Sequence, residues 1–121
     1  MNKLISPPTE RENQALLYDF YGELLTRHQK EIYEQFVLED LSLSEIAVDA
    51  GISRQGVHDL VKRCDKALSE YEHKLHLVEK FLLIKKNIQD INRLLDDYEG
   101  SRAEDMIEEI RHISQVIVEE L

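Results

Sequence analysis

The chain has 121 residues, of which 42% are hydrophobic and 33% charged, and its formal net charge at pH 7 is −10. This apolar share is too high for a disordered chain, and the length allows one domain with a modest core or a small domain with a long helical appendage. Because nonspecific DNA binding depends on Lys and Arg, the charge excludes a protein that binds nucleic acid over its whole surface, whereas a basic protein partner suits it well.

Two helices are predicted in the first third of the chain. Residues 1–11 are expected to form a flexible arm that contains Pro7 and Pro8. The apolar residues that follow at helical spacing predict the buried face of a first helix, namely Leu16, Leu17, Phe20, Tyr21, Leu24 and Leu25. Thr26 and Gln29 form a capping box that starts a second helix. Its expected buried residues are Ile32, Tyr33, Phe36 and Val37.

A helix-turn-helix is predicted over about residues 42–66. Ser42 and Glu45 form a second capping box, which opens a short third helix. Gly51 ends this helix, because a sharp turn needs a residue with positive φ, and Ser53 then caps a fourth helix. The residues expected to fill the space between the third and fourth helices are Ile46, Ala47, Ile52, Val57 and Leu60.

The fourth helix has no evident stop for more than forty residues. Its apolar residues step by four and three alternately, which is heptad spacing, at Val57, Val61, Cys64, Leu68, Tyr71, Leu75, Val78 and Leu82. Lys85 then occupies a position due for an apolar residue, and the stripe shifts to Phe81, Ile84, Ile88, Ile91, Leu95 and Tyr98. The shift indicates a changed packing partner or a short break near residues 72–74.

A last helix is expected after Gly100, where Ser101 and Glu104 give a start signal. It buries Met106, Ile110, Ile113 and Ile117 and folds back antiparallel on residues 84–98. The fold class is therefore all-α, with a helix-turn-helix domain over residues 12–70 and a coiled-coil or helical-hairpin extension over residues 71–121. We expect a homo-oligomer, with a dimer favoured, although the apolar seams can close on the chain itself or on another chain.

The expected nucleic-acid-binding residues lie on the outer side of the fourth helix: Ser53, Arg54, Gln55, His58, Lys62, Arg63 and Lys66. Arg and Gln side chains near the start of a recognition helix can read guanine and adenine edges, and the later basic residues can meet phosphates. Two features oppose this prediction. Residues 42–66 carry four basic and four acidic side chains, and Asp59 lies among the proposed reading residues. The alternative is an ordinary solvated helix face.

No catalytic constellation is evident in the sequence. His73 and His76 lie one helical turn apart, and an exposed charged face explains them better than a metal site because no third ligand has suitable spacing. Cys64 lies on the apolar stripe, which favours a small buried side chain over a nucleophile. We therefore expect no enzyme, no cofactor, no metal and no small-molecule substrate.

The cellular location is expected to be cytoplasmic. No apolar run approaches the roughly 18 residues of a membrane span, and residues 1–8 lack the apolar core of a signal peptide. The single Cys64 has no cysteine with which to form an internal disulfide. These features predict a cytoplasmic chain without membrane insertion.

Several segments resemble known helix-turn-helix proteins. Residues 24–30 (LLTRHQK), 41–47 (LSLSEIA) and 51–57 (GISRQGV) are similar to region four of bacterial sigma factors. Residues 62–68 (KRCDKAL) and 71–75 (YEHKL), with LYDFY upstream at residues 17–21, resemble a narrower family. Through them the chain resembles the YlxM family of small Gram-positive helix-turn-helix proteins over about residues 14–95.

The resemblance implies a role near the signal recognition particle, because the family is usually encoded beside the GTPase of that particle. It marks Ser53, Arg54 and Gln55 as the exposed head of the recognition helix. Gly56 departs from the pattern, since a bulkier helix former is expected there, and glycine lowers helix propensity by about 1 kcal/mol.

Two functions follow as hypotheses. In the first, the chain is a regulatory or accessory protein of the signal recognition particle, its partners being protein or RNA components of the particle. In the second, it is a dimeric DNA-binding transcriptional regulator, in which the helix over residues 57–98 joins two recognition heads.

Overall fold

The computed structural model describes residues 9–98 and 103–121, and within these ranges all regular structure is helical. The α-helices are α1 (Glu10–Tyr21), α2 (Arg27–Val37), α3 (Leu43–Ala50), α4 (Arg54–Leu75), α5 (Leu77–Asp96) and α6 (Ala103–Glu120), and a 3-10 turn (Gly22–Leu24) follows α1. The predicted all-α class is confirmed. The chain divides into two compact units between His76 and Leu77, whereas the sequence had placed a boundary at residues 70 and 71.

Helix starts are set by reciprocal capping boxes. The boxes predicted at Thr26 and Ser42 are both present, and a third, unpredicted box joins Thr9 to Glu12. Because Thr9 Oγ1 accepts the Glu12 amide at 3.1 Å, α1 begins at Glu10. The last two residues of the expected arm, 10 and 11, are therefore helical, and residues 1–8 lie outside the described residues.

The first unit packs α1, α2 and α3 around the N-terminal part of α4. Its core comprises Leu17, Tyr18, Tyr21, Leu25, Ile32, Tyr33, Val37, Ile46, Ala47, Val57, Leu60, Val61, Cys64 and Leu68. The predicted face of α1 was wrong in part, because Phe20 and Leu24 are exposed and Tyr18 is buried. The helix ends at Tyr21 and the tighter 3-10 turn changes the phase of the following residues. Phe36 is half-buried beneath the Arg11 guanidinium, which lies 4.6 Å from the ring centroid.

Asp65 of α4 joins three helices. Its Oδ1 accepts a hydrogen bond from the Tyr33 hydroxyl of α2 at 2.5 Å and another from the Gln14 amide of α1 at 3.0 Å. Both bonds are partly buried. Because hydrogen bonds to a charged group are roughly twice as strong as neutral ones, this carboxylate fixes the orientation of α4 against α1 and α2.

Two further tyrosines of α1 donate to carboxylates on other helices. The Tyr18 hydroxyl bonds Glu34 of α2, and the Tyr21 hydroxyl bonds Glu72 Oε1 of α4 at 2.5 Å. This arrangement allows the aromatic rings to be buried, because a buried hydroxyl needs a partner. Three buried tyrosines thus tie the helices together through acids that lie far away in sequence.

Burial and these hydrogen bonds change the acidity of the core groups. Burial, and then the hydrogen bond to Asp65, raises the pKa of Tyr33 well above its ordinary value. Burial and the bond to Glu34 raise the pKa of Tyr18 in the same way. Burial also raises the pKa of the Cys64 thiol to about 11. Cys64 is therefore a protonated core side chain at neutral pH.

The long helix expected from residue 54 to residue 98 is two helices. His76 adopts a left-handed conformation with φ of 56°, and its amide donates to the Glu72 carbonyl at 2.8 Å, which ends α4. The break lies later than the expected position at residues 72–74. The heptad stripe therefore does not run through, and Leu75 at the end of α4 is exposed.

The second unit is a pair of packed helices, α5 and α6. Six residues separate them, which is too short a connection to span the ~30 Å length of α5, so they run antiparallel as expected. The expected buried residues of α6, Met106, Ile110, Ile113 and Ile117, are only half-buried. The prediction was wrong here because a lone helix pair covers each helix on one side only. The start signal at Gly100 and Ser101 lies outside the described residues.

Among the described helices, none combines the length and the apolar character that a membrane crossing requires.

Replacing Asp65 with Ala is expected to lower the free energy of unfolding by about 2 kcal/mol, because the Tyr33 hydroxyl and the Gln14 amide lose their acceptor. Urea unfolding followed by circular dichroism measures this change. The matched control is Asp59→Ala on the exposed side of the same helix, which should stay within about 0.5 kcal/mol of the parent. Equal losses in the two variants would contradict the role of Asp65.

Stability is expected to fall as the pH rises above about 10, the ordinary tyrosine pKa. In the unfolded chain Tyr18 and Tyr33 ionise near that value, whereas in the folded chain they stay protonated to higher pH. The unfolded state then binds fewer protons, so their contribution is complete below pH 10 and is lost above it. Urea midpoints at pH 8 and pH 11 test this. A Tyr18→Phe/Tyr33→Phe variant should lose less stability between the two pH values than the parent, and an equal loss would refute the assignment.

Candidate nucleic-acid interface

The turn between α3 and α4 has the geometry of a helix-turn-helix. Gly51 ends α3 in the left-handed region, with φ of 73° and ψ of 28°. The amides of Gly51 and Ile52 both donate to the Ala47 carbonyl, at 3.0 and 3.2 Å. Ala47 itself is buried where the helices cross. The predicted turn, its glycine and its small crossing residue are all confirmed.

Ser53 and Gly56 form the start of α4. Ser53 Oγ accepts the Gly56 amide at 2.9 Å, which confirms the predicted cap. A Cβ atom at position 56 would lie 3.1 Å from Ser53 Oγ, a contact tighter than side chains normally make. Glu12, Gln29 and Glu45 occupy the same position in the capped helices α1, α2 and α3, so the cap itself does not require glycine, and nothing in the structure explains the departure at Gly56.

The seven predicted binding residues lie on the first four turns of α4 and its cap, and six of them are exposed, His58 being half-buried. Arg54, His58, Lys62 and Lys66 follow one another at i+4 spacing, so they form one row along the helix. At 1.5 Å per residue this basic row is about 18 Å long. A second row beside it contains Gln55, Asp59 and Arg63.

Asp59 contacts two of the residues predicted to bind nucleic acid, Gln55 and His58. Its Oδ1 accepts a hydrogen bond from Gln55 Nε2 at 2.9 Å and lies 3.4 Å from His58 Nδ1. The bond from Gln55, and next the one from His58, hold the pKa of Asp59 below its ordinary value, so it is charged at neutral pH. One N–H of the Gln55 amide is therefore directed along the helix toward Asp59.

The outer face of α4 is more basic than its sequence window indicates. Asp65, one of the four acids in residues 42–66, turns inward to Tyr33 and Gln14, and Glu45 belongs to the capping box of α3. Within residues 54–66 the outer face thus carries Arg54, Lys62, Arg63 and Lys66 against Asp59, and the basic row ends at the exposed Glu70, four residues after Lys66. Within the described residues, none of these four cations has a carboxylate oxygen within 4.0 Å.

A cleft lies beside the basic row and is lined by residues of α1, α2, α3 and α4. Its lining combines charged, polar and apolar side chains: Glu10, Arg11, Gln14, Phe36, Leu43, His58, Val61, Lys62 and Asp65. Two of its charged groups are already engaged, because Asp65 accepts two hydrogen bonds and Arg11 donates to the Phe36 carbonyl at 2.6 Å. The polar side chains that line the cleft extend the polar surface next to Lys62.

The histidine pair considered as a metal site lies at the α4–α5 break. The rings of His73 and His76 are 6.4 Å apart, and the described part of the chain contains no group of three or more metal-binding side chains.

Sequence reasoning missed the tyrosine–carboxylate contacts that orient α4. The sequence analysis did not assign Tyr18 to the buried face of α1, and Asp65 entered only the charge count of residues 42–66. The only available signal was the position of Asp65, directly after the buried Cys64 on the apolar stripe. Such a position lies at the edge of the buried face, where a polar side chain can turn inward.

Comparisons with known proteins extend over almost all of the described residues. The profile of a family described as "Putative helix-turn-helix protein, YlxM / p13 like" (UPF0122) matches residues 9–113. A UPF0122 protein of Desulforamulus reducens is 43% identical over 104 residues, which cover 86% of this chain and 89% of the relative. One from Caldanaerobacter subterraneus is 49% identical over 81 residues, or 67% and 69% of the two chains. One from Clostridium novyi is 38% identical over 111 residues, or 91% and 96%.

If the basic row meets phosphates, the double variant Lys62→Ala/Lys66→Ala should reduce the slope of log affinity against log salt by about 2, which is about 1 per lysine. Fluorescence anisotropy with a labelled RNA hairpin or DNA duplex, from 50 to 200 mM salt, measures the slope. Lys74→Ala, at the far end of α4, is the matched control and should leave it unchanged. Asp59→Asn should strengthen binding. An unchanged slope in the double variant would contradict the interface.

Proposed function

The chain belongs to UPF0122, the YlxM/p13-like family of helix-turn-helix proteins, and from this premise we propose that it is a non-enzymatic accessory protein of the signal recognition particle pathway, acting in the cytoplasm. The helix-turn-helix serves as a docking module for a component of the particle. Its basic outer face contacts a negatively charged surface without reading a base sequence.

The observation that carries this proposal is the position of Asp59 in the outer face of α4. An ionised carboxylate at that place repels nearby phosphates and occupies the Gln55 amide at 2.9 Å. Sequence readout needs Gln and Arg side chains that are available to base edges. The remaining cations favour contact with a backbone or an acidic surface, which is docking rather than readout.

The opposite charges of α6 and of the outer face of α4 support a partner that contains both protein and nucleic acid. Helix α6 carries six carboxylates against the single Arg111, so it favours a basic protein surface. Helix α4 offers the opposite charge on its outer face. A ribonucleoprotein presents both kinds of surface, because its proteins are basic where they meet RNA.

The alternative function is a dimeric DNA-binding transcriptional regulator. The observation that favours it is Arg54, which is exposed at the first residue of α4 and has no ion pair within 4.0 Å among the described residues. In that case the two recognition helices of a dimer would contact half-sites about one helical turn, roughly 34 Å, apart.

Binding of the full chain to the purified GTPase of the particle, with and without its RNA, tests the proposal at physiological salt. We expect binding to the particle that is weakened several-fold in Lys62→Ala/Lys66→Ala and unchanged in Lys74→Ala. Random duplex DNA is the control and should bind at least ten times more weakly. No binding to any particle component would refute the proposal. Tight, sequence-dependent binding to a DNA site that Arg54→Ala abolishes would establish the alternative.

A further inference from the structure

Helix α5 buries a polar side chain, Asn87. This residue is 9% exposed, and its amide nitrogen Nδ2 is buried without a hydrogen-bond partner in the part of the chain that the structure describes. A donor that is removed from water and finds no acceptor disfavours the arrangement that buries it, because water would satisfy the donor. A buried asparagine between packed helices therefore lowers the stability of their pairing.

Helix α6 is the element that covers this amide. Asn87 lies at helical spacing on one line of α5 with Ile84, Ile91 and Leu94, and these three neighbours are half-buried. Among the described residues of the second unit, α6 is the helix that packs along α5. The line that contains Asn87 therefore faces α6, and the unpaired Nδ2 lies between the two helices.

The apolar contact between α6 and α5 is limited. No residue of α6 is buried, and the apolar residues of its inner line are only half-buried: Met106, Ile110, Ile113 and Ile117. In the first unit, by contrast, Tyr33, Ile46 and Cys64 have 0% exposure. Because hydrophobic stabilisation grows with the apolar area removed from water, α6 is attached less firmly than the helices of the first unit.

We propose that α6 is a strap that opens from α5 while the first unit stays folded, and that Asn87 sets how often it opens. Opening returns Nδ2 to water, so the donor gains the hydrogen bond that the closed pair denies it. The apolar area exposed at the same time is small. Segments that open separately from the rest of a protein are those with few buried apolar contacts, and α6 is such a segment.

Opening changes which surface α6 presents. Its inner apolar line becomes accessible together with its six carboxylates, and this combination suits a basic surface of a partner protein. That consequence rests on the proposed function. The opening itself rests on Asn87 and on the packing of α6, so the strap and the proposed function can fail separately.

Amide hydrogen exchange of the full chain, followed residue by residue by NMR, tests the strap. After correction for intrinsic rates, amides in the middle of α6, at residues 108–117, should exchange at least about 100-fold faster than the α4 amides around Cys64. Equal protection of α6 and α4 would show that the two units open together, and it would overturn the proposal.

A pair of asparagine variants tests the role of Asn87. Asn87→Leu should slow the exchange of α6 about tenfold and leave that of α4 unchanged, because it removes the unpaired donor. The matched control is Asn92→Leu at an exposed position of the same helix, which makes the same change in helix propensity and should alter the exchange of α6 by less than about threefold.

Asn87→Asp supplies the opposite change, since it places a carboxylate at the buried position and should speed the exchange of α6. The sign of the leucine effect decides between an unpaired and a satisfied asparagine. If Asn87→Leu speeds the exchange of α6, or slows it no more than Asn92→Leu does, Asn87 does not control the strap and the proposal is overturned.

Discussion

The carboxylate of Asp65 holds α4 with its apolar side toward the core and its basic side toward solvent. It is bonded at once to Tyr33 of α2 and Gln14 of α1, and these two donors lie on the inner side of the helix. A rotation of α4 by one residue, about 100°, would break both bonds and carry the basic row toward the core. The exposed positions of Lys62 and Lys66 thus depend on a contact made by a neighbouring acid. The interface and the core of the first unit share one helix, and the bonds of Asp65 act together with the buried apolar side chains of α4 to set its orientation.

The predictions that held are those that depend on neighbours in sequence. The caps at Thr26, Ser42 and Ser53 and the turn at Gly51 each need only residues three or four positions away, so the sequence contains the whole interaction. The buried face of α1 was only partly predicted, because the partner of Tyr18 is 16 residues away and that of Tyr21 is 51 residues away. The break at His76 has no glycine or proline to mark it, although histidine is among the residues that enter the left-handed region most readily.

The candidate interface shows why a charge count over a sequence window misleads. Residues 42–66 balance in number, yet two of the four acids are engaged on other faces, so the outer side of α4 is basic. The residue list of the interface was available from the helical pattern. The contact between Asp59 and Gln55 was not predicted as a bond, although the i+4 spacing permits it. This contact favours docking over base reading, because it engages one donor of the amide suited to adenine and places an ionised carboxylate beside it.

Cys64 has a consequence for how opening of the core can be observed. Its thiol is fully buried, and burial raises its pKa to about 11, so both access and ionisation oppose attack by electrophiles and oxidants. The barrier to modification is then the free energy of exposing the interior rather than the chemistry of sulfur. The reaction rate of this one atom in a native sample reports how often α4 separates from α1 and α2, and the chain carries this probe of its own breathing motions without any added label.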